Sequence, residues 1–570
     1  MHHVSWLRLE NYRSCNEVEI DLWPYTPLVG HNNTGKSNCI RGLNWLLNKK
    51  ALSVSDFYDP AKSVVAIGKI EGITELLINK LDIKHKKQIE KYISDDVLWI
   101  KQVQVDPNVS ATKIELYVLN PEGEWNNEES WTKAPTGIPA AIKALFPEPI
   151  HIEAMSDAAE DAGKVKSGTT IGKLLTEIQS SVLESQETRL KQAIDVLEDI
   201  LAAEGEARAD ELKEIDKATT DILQNYFPDL ELRTHIPPPT MVTLFKGGTV
   251  QVQEKSLEGW RDLESLGHGA LRSVQMSLIQ YLAERGKAKD KKTACTLLLI
   301  DEPELYLHPQ AIEQARDALK KLSDVGYQVV FSTHSPMFIE PEDMPRAHVV
   351  FKKDGETRIR KTFEKAYNTA IKDGPKQTEI IFSLDHASQI LFCERALIAE
   401  GQTERRLLPA LYKQYFDRTM GMDRFALVIV DGKDSINKTK LIMDEMGINA
   451  KILMDFDAVF TKEHFCNSSD SDRQECEKYL KSNGLKGAAG CVQMCGDTKM
   501  ETHVNALCDK LQKKGIWAWS KGDIEAHLGI QPGQKSPYDH AAFKGRLDEN
   551  GMSAVFDQSE IENFLNWLVS

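Results

Sequence analysis

Hydrophobic positions recur with two different spacings along the chain, and the changes of spacing predict its division into domains. Short extended runs, such as residues 4–9 and 64–78, predict strands in the first part of the chain, with one helix among them. Between residues 172 and 228, apolar positions recur at helical spacing with glutamates and lysines between them, and Gly205 interrupts the pattern. We therefore expect two helices that form a hairpin, either a packing arm or a dimerisation element.

The second half of the chain alternates apolar strand runs with helical patterns. This alternation begins near residue 235 and is clearest at residues 426–430, 450–454 and 516–519. Strands that alternate with helices are typical of a parallel sheet covered by helices. The sequence therefore predicts an α/β fold.

Composition and charge restrict the class of protein. The chain has 570 residues, 41% of them hydrophobic, and a net charge of −16, which argues against a broadly basic nucleic-acid coat but not against local basic grooves. No apolar run approaches the ~20 residues of a membrane span, and the N-terminus lacks the pattern of a signal peptide. Nine cysteines fit reduced thiols rather than a disulfide framework. We expect a cytoplasmic protein without a membrane partner.

Residues 30–37 read Gly-His-Asn-Asn-Thr-Gly-Lys-Ser, a complete phosphate-binding loop between a strand and an amphipathic helix. Backbone amides in such a loop surround phosphate oxygens, and the following helix N-terminus favours their negative charge. We expect Lys36 to bridge the β- and γ-phosphates of ATP and Ser37 to bind Mg²⁺. The candidate nucleotide-binding residues of this loop are Gly30, Asn32, Asn33, Gly35, Lys36 and Ser37.

Two later strands carry the other parts of an ATPase site. Residues 296–303 form an apolar strand that ends in two carboxylates, the Walker B pattern. We expect Asp301 to hold Mg²⁺ through water and Glu302 to orient the attacking water. A further buried strand ends at His334, a candidate γ-phosphate sensor and catalytic residue.

A serine- and glycine-containing turn opens the helix that precedes the Walker B strand. Its candidate phosphate-binding residues are Ser265, Gly267 and Gly269. In this order the motifs resemble the ABC-type ATPases, and residues 9–14 (Leu-Glu-Asn-Tyr-Arg-Ser) resemble the RecF and chromosome-maintenance branch, which acts on DNA. The resemblance implies that this turn completes the phosphate loop of another head, and hence a homodimer or higher oligomer.

Three acidic motifs, each placed just after an apolar strand, mark the C-terminal part of the chain. They read Glu-Gly-Gln-Thr-Glu, Asp-Phe-Asp and Asp-Ile-Glu, and their candidate metal ligands are Glu400, Glu404, Asp455, Asp457, Asp523 and Glu525. We expect them to converge at the carboxyl edge of one sheet, where such a cluster repels itself unless divalent cations neutralise it. Oxygen ligands favour Mg²⁺ or Mn²⁺, and a pair of such ions can hydrolyse a phosphodiester.

The acidic series resembles the Toprim domain, and an ABC-type head followed by a Toprim domain resembles the overcoming lysogenization defect (OLD) family of nucleases. The resemblance implies a four-part organisation: an ATPase head in two halves, 1–171 and 229–390, a helical insert at 172–228, and a Toprim domain at 391–570. It also implies that Glu400 acts in catalysis beside a lysine that stabilises the transition state. Lys535 is favoured for that role over Lys544.

The leading hypothesis is an ATP-regulated, metal-dependent DNA endonuclease or nickase used in antiphage defence. The resemblance extends to chains that act with a helicase-like protein or with a retron reverse transcriptase and its DNA, and these are the partner classes it implies. The alternative is an ATP-driven DNA clamp or repair scaffold of the RecF type without nuclease activity.

Cysteines between residues 466 and 508 fit buried thiols better than a zinc site.

Overall fold

The computed structural model describes residues 1–146, 148–154, 170–240, 250–253, 258–286, 295–370, 390–430, 433–461, 463, 465–531 and 536–570. Within these ranges no helix has the length and apolar character needed to cross a membrane. The chain divides into two compact units, the first made of residues 1–13, 21–25 and 37–332 and the second of residues 14–20, 26–36 and 333–570.

Strands occur in both units, in the following chain order: β1 His3–Tyr12, β2 Cys15–Asp21, β3 Tyr25–Val29, β4 Val64–Glu71, β5 Leu98–Gln104, β6 Glu115–Leu119, β7 Trp131–Lys133, β8 Ile150–Ile152, β9 Gln251–Val252, β10 Arg261–Asp262, β11 Thr296–Asp301, β12 Tyr327–Thr333, β13 His348–Lys353, β14 Glu356–Ile359, β15 Arg395–Ala399, β16 Phe425–Ile429, β17 Asn449–Met454 and β18 Ile516–Ala518.

The α-helices are, in chain order: α1 Lys36–Leu47, α2 Glu75–Ile78, α3 Ile83–Ile89, α4 Ile138–Leu145, α5 Thr170–Leu201, α6 Asp210–Gln224, α7 His268–Gly286, α8 Pro309–Ser323, α9 Phe363–Ala370, α10 Gln402–Phe416, α11 Lys433–Glu445, α12 Ala458–Thr461, α13 Ser471–Ser482, α14 Gly487–Cys495, α15 Glu501–Gln512, α16 Ile524–Leu528, α17 Pro537–Asn550 and α18 Gln558–Val569.

The first unit contains an antiparallel and a parallel arrangement of strands. Strands β1, β4, β5, β6 and β7 pair antiparallel in that order. Strand β11 pairs in parallel with β8 on one side and with β12 on the other. All residues of β11 are buried, which explains its uninterrupted apolar sequence, because a parallel strand is covered on both faces.

The predicted extended run at residues 64–78 is wrong over its second half. Strand β4 ends at Glu71, because Gly72 takes a left-handed conformation with φ of 78°. Thr74 then precedes the short helix α2. The predicted pair of helices at 172–228 is present as α5 and α6.

The second unit contains a four-stranded parallel sheet with the order β16, β15, β17, β18. Successive residues of its strands enter two different cores. Ile398 and Ile452 pack into one core, whereas Leu397 and Leu453 pack into the other. This alternation follows from the two-residue period of a strand, and it leaves the strand ends as the place where polar residues can gather.

Candidate active sites

The loop at residues 30–37 folds around the ammonium group of Lys36. Its Nζ donates hydrogen bonds to the carbonyl oxygens of Gly30 (3.0 Å) and His31 (2.9 Å), and it lies 2.9 Å from Nε2 of His334. Because an ammonium group only donates, the imidazole accepts through Nε2. The structure thus brings together the lysine and the histidine that the sequence motifs assigned to one nucleotide site.

A hairpin far along the chain supports this loop. Gly35 has φ of 102°, and a Cβ atom at this position would lie 1.9 Å from Oγ1 of Thr357 in β14. The same hydroxyl donates to the carbonyl oxygen of Thr34 (2.9 Å) and lies 2.7 Å from Oγ of Ser14. Glycine is therefore required at position 35 by both conformation and space. Sequence reasoning missed Thr357, because nothing local marks a hairpin threonine as part of a phosphate loop.

The two asparagines of the loop are exposed. Asn33 has φ of 61°, a left-handed conformation that asparagine tolerates better than most residues. Their side chains can therefore reach a ligand that approaches the loop from solvent.

In the first unit, the end of β11 holds a buried carboxylate supplied with hydrogen-bond donors. Asp301 is only 1% exposed, and Oγ of Ser332 donates to its Oδ1 over 2.9 Å. Burial acts to raise the pKa of Asp301, but the nearby His151 ring and the hydroxyls of Ser37 and Ser332 outweigh it and hold the pKa below its usual range. Ser37 and Asp301, the two predicted Mg²⁺ residues, therefore lie together.

The turn after Asp301 is held by an arginine that sequence reasoning did not assign. Arg272 of α7 is buried, and its guanidinium donates to the carbonyl oxygens of Asp301 and Glu302, each over 2.8 Å. Glu302 has φ of 48°, a strained conformation for a residue with a side chain. Arg272 stabilises this strained turn and links it to the helix that follows the serine–glycine turn.

The serine–glycine turn itself lies open on the surface. Ser265 and Gly267 are exposed, and a Cβ atom on Gly267 would meet nothing within 4 Å. Oγ of Ser265 donates to the carbonyl oxygen of Asp262 over 2.7 Å. Gly269 lies next to Tyr306, whose side chain is 56% exposed. A ligand or a second molecule can therefore reach the turn.

The acidic motifs of the second unit follow three adjacent strands of its parallel sheet. Glu400 comes directly after β15, Asp455 directly after β17, and Asp523 is the N-cap of α16, which follows β18. Burial raises the pKa of Asp455 to about 8, and the negative charge of neighbouring carboxylates adds to the effect. Those carboxylates are Glu404, Glu525, Asp523 and Asp457. The predicted convergence at one sheet edge is therefore visible in the electrostatics of Asp455.

The structure explains why the first acidic motif contains a glycine and a threonine. A Cβ atom on Gly401 would lie 2.3 Å from Oε2 of Glu404, so only glycine lets this carboxylate fold back over the turn. Oγ1 of Thr403 donates to Oε1 of Glu525 over 2.9 Å, which joins the first motif to the third. Both glutamates are buried despite their charge.

A buried histidine holds the loop before α16, and sequence reasoning missed it. Nε2 of His527 accepts a hydrogen bond from the backbone N–H of Lys521 (3.1 Å), and its Nδ1 lies 3.0 Å from Oδ2 of Asp557. Burial lowers the pKa of His527 to about 4, so the ring is neutral. The carbonyl oxygen of Gly522 in the same loop accepts from the backbone N–H of Phe456, between the two aspartates of the second motif. This hydrogen bond therefore holds the second and third motifs next to each other.

The donor set fits a hard divalent cation. Oδ1 of Asp455 is buried and has no hydrogen-bond partner in the described part of the chain. Within that part, no three His, Cys, Asp or Glu side chains form a complete metal site. Mg²⁺ commonly takes one or two protein carboxylates and completes its shell with water and substrate oxygens, so the acidic edge suits it.

The two candidate lysines follow the third acidic motif in the sequence. Lys535 lies outside the described residues. Lys544 lies on α17 and is half-buried. The cysteines at 466–508 are free thiols, all buried except the partly buried Cys495. Burial raises the pKa values of Cys466, Cys476, Cys495 and Cys508. They pack as small apolar side chains, as the sequence favoured.

Family models for two domains match this chain. The AAA ATPase domain matches residues 3–134 and 75–339, and the TOPRIM domain of proteins like the overcoming lysogenization defect protein matches residues 391–457. The Old nuclease of Escherichia phage P2 is 35% identical over 595 aligned positions, which cover 99% of each chain. The OLD nuclease of Thermus scotoductus is 21% identical over 429 positions, 72% of this chain and 73% of that one.

Among solved structures, a Smc head bound to the C-winged helix domain of ScpA matches 64% of this chain and 99% of its own length, with 14% identity and a TM-score of 0.39.

An ATPase head joined to a C-terminal TOPRIM domain defines the class: the chain is an enzyme with ATPase and nuclease domains. Its identity to the phage P2 protein extends over nearly the whole length of both chains. The chain therefore belongs to the OLD family of nucleases. The alternative of a scaffold without nuclease activity is not retained.

Replacing Asp455 with asparagine should stabilise the metal-free protein at neutral pH. The folded state keeps the Asp455 proton up to about pH 8, whereas the unfolded state loses it near pH 4, so stability falls as pH rises between these values. An amide does not ionise, and we expect Asp455→Asn to be more stable in EDTA at pH 7.5 by roughly 2–4 kcal/mol. At pH 4 the difference should vanish.

Thermal unfolding in EDTA at both pH values measures this effect, with Asp444→Asn on the exposed side of α11 as the matched control. Added Mg²⁺ should raise the melting temperature of the wild type more than that of Asp455→Asn. If Asp455→Asn were less stable than the wild type at pH 7.5 in EDTA, the raised pKa of Asp455 and the repulsion among these carboxylates would be contradicted.

Proposed function

We propose that this protein is an ATP-regulated, divalent-metal-dependent DNA endonuclease or nickase that acts in antiphage defence. The observation that carries the proposal is the buried Asp455 surrounded by four other carboxylates at one edge of the TOPRIM sheet. Such a concentration of negative charge favours bound cations, and its oxygen ligands favour Mg²⁺ or Mn²⁺. A helicase-like protein or a retron reverse transcriptase with its DNA is the partner class that the family resemblance implies.

In this proposal the acidic edge performs the cleavage. Glu400, Asp455 and Asp457 would hold the ions, together with Glu404, Asp523 and Glu525. When bound, paired divalent ions stabilise the attacking and the leaving oxygens of a phosphodiester. Thr403 keeps Glu525 oriented through its hydroxyl, and Lys535 or Lys544 would neutralise charge that develops on the phosphate.

The phosphate loop would bind the phosphates of ATP, and the Walker B turn would supply the carboxylates that its hydrolysis needs. Lys36, now bound to two loop carbonyl oxygens and to His334, would exchange these partners for phosphate oxygens. Ser37 and Asp301 would hold Mg²⁺, and Glu302 would orient the attacking water. His334 would then be released to contact the γ-phosphate.

The ATPase assignment predicts two different defects. Lys36→Ala should abolish ATP turnover, because it removes the charge that meets the transferring phosphoryl group. Glu302→Gln should bind ATP and fail to hydrolyse it. Phosphate release and equilibrium ATP binding distinguish the two variants, and Lys62→Ala, an exposed lysine outside the loop, is the control. Full ATPase activity in Lys36→Ala would show that the loop has another role.

The nuclease assignment predicts cleavage that depends on metal and on acidic residues whose loss leaves ATP hydrolysis intact. The wild type should cut or nick duplex DNA with Mg²⁺ or Mn²⁺, and EDTA should stop it. Glu400→Ala, Asp455→Ala and Asp457→Ala should each remove cleavage by losing an ion ligand while retaining ATP hydrolysis. DNA binding should persist, because less negative charge repels phosphate less.

Conversion of supercoiled plasmid measures this cleavage, with Asp444→Ala as a control that removes an exposed carboxylate outside the motifs. The proposal fails if the wild type binds DNA and cleaves none under every metal and nucleotide condition.

We further propose that the helical insert forms a homodimer. Helix α6 has no buried residue, and α6 with the segment after it exposes large apolar side chains at Ile215, Ile222, Tyr226 and Phe227. Such a surface costs free energy in water and suits a second copy of the same chain. The exposed turn at residues 265–269 has the accessibility that contact with another head requires.

Placing a charge in this surface should weaken the dimer. Ile222→Glu should shift the dissociation constant upward by at least tenfold, since a buried carboxylate would have no partner. Leu76→Glu on α2 is the matched control, because Leu76 is also exposed and lies outside the insert. Sedimentation velocity over a range of concentrations, with and without nucleotide, gives the association state. A wild type that stays monomeric throughout would refute the dimer.

A further inference from the structure

A histidine beside the Walker B carboxylate occupies a position that neither sequence motif includes. Three neighbouring parallel strands, β8, β11 and β12, place polar side chains on one face of the sheet. His151 pairs with Leu299, two residues before Asp301, and Asp301 pairs with Ser332. Since residues two apart in a strand point to the same face, His151, Asp301 and Ser332 lie side by side across the three strands.

The two neighbours contact different oxygens of the carboxylate. Oγ of Ser332 donates to Oδ1 of Asp301 over 2.9 Å, and Nε2 of His151 lies 3.5 Å from Oδ2. A carboxylate rotates easily about its last side-chain bond, so one contact alone leaves its plane poorly defined. Neighbours at both oxygens restrict that plane, and hence the direction that the carboxylate would present to a water on a bound Mg²⁺ ion.

The imidazole ring has a carboxylate neighbour on its other side. Nδ1 of His151 lies 3.8 Å from Oε1 of Glu153, which lies 3.5 Å from Nε of Arg41. Arg41 is on α1, four residues and about one turn after Ser37. A row of charged and polar groups therefore connects Asp301 back to the helix that carries the phosphate loop's serine.

We propose that His151 is a positioning residue for ATP hydrolysis, which orients Asp301 through Oδ2 and is held in turn by Glu153 and Arg41. The inference rests on the proposed role of Asp301 in holding Mg²⁺. His151 does not touch the nucleotide in this account; it acts on turnover through the carboxylate, as partners of metal-binding residues commonly do.

The chain allows a test that separates positioning from packing. Removing the ring in His151→Ala should lower kcat for ATP hydrolysis by about 10- to 100-fold, the range typical when a partner of a metal ligand is lost. The Mg²⁺ concentration for half-maximal activity should rise, and the affinity for ATP measured without Mg²⁺ should change less than about twofold. Steady-state hydrolysis by the full chain, with Mg²⁺ and ATP varied separately, gives these values.

Two conservative variants identify the nitrogen that matters. The amide nitrogen of glutamine is as many bonds from Cβ as Nε2 of histidine, whereas that of asparagine corresponds to Nδ1. His151→Gln should therefore recover most of the lost kcat, and His151→Asn should not. Glu153→Gln should give an intermediate defect of the same kind. His85→Ala on α3 is the control for removal of a histidine elsewhere, and it should hydrolyse ATP at the wild-type rate.

Wild-type kcat and Mg²⁺ dependence in His151→Ala would overturn the inference, and so would equal defects in the alanine, glutamine and asparagine variants accompanied by a lower melting temperature. Asp301→Asn separates this inference from the function on which it rests. If Asp301→Asn hydrolyses ATP normally, the proposed Mg²⁺ role of Asp301 fails; if only His151→Ala does, the positioning role fails alone.

Discussion

A buried carboxylate at the end of a parallel strand needs hydrogen-bond donors, a proton or a cation, and both candidate centres of this chain depend on that requirement. Asp301 is surrounded by donors, and its pKa lies below the usual range. Asp455 is surrounded by other carboxylates, and its pKa rises to about 8. The same residue type near the end of a parallel strand therefore supports two different chemistries, because the neighbours differ.

Around the phosphate loop, the fold keeps a charged lysine in place without a ligand. Two backbone carbonyl oxygens and the His334 ring satisfy the ammonium group of Lys36. A buried ammonium without such partners would cost several kcal/mol, so these contacts stabilise the fold of the loop.

The second unit also offers a physical route for the proposed regulation by ATP. Val29, the last residue of the strand before the phosphate loop, packs in the same hydrophobic core as Phe363 of α9 and as Ile398 and Ile452 of the TOPRIM sheet. Nζ of Lys361 also pairs with Oε2 of Glu445 on α11, over 2.6 Å. The strand before the phosphate loop and the strands that carry the acidic motifs therefore share one close-packed core.

Local sequence pattern was enough to predict four features: the phosphate loop, the Walker B strand, the helical pair and the three acidic motifs. Each follows from residues that are close along the chain, so their periodicity and spacing are readable without a fold. The side chains that complete these motifs from a distance could not be predicted in this way. No local signal marks Thr357, Arg272 or His527, because their roles depend on strand pairing and helix packing that bring them beside residues far away in the sequence.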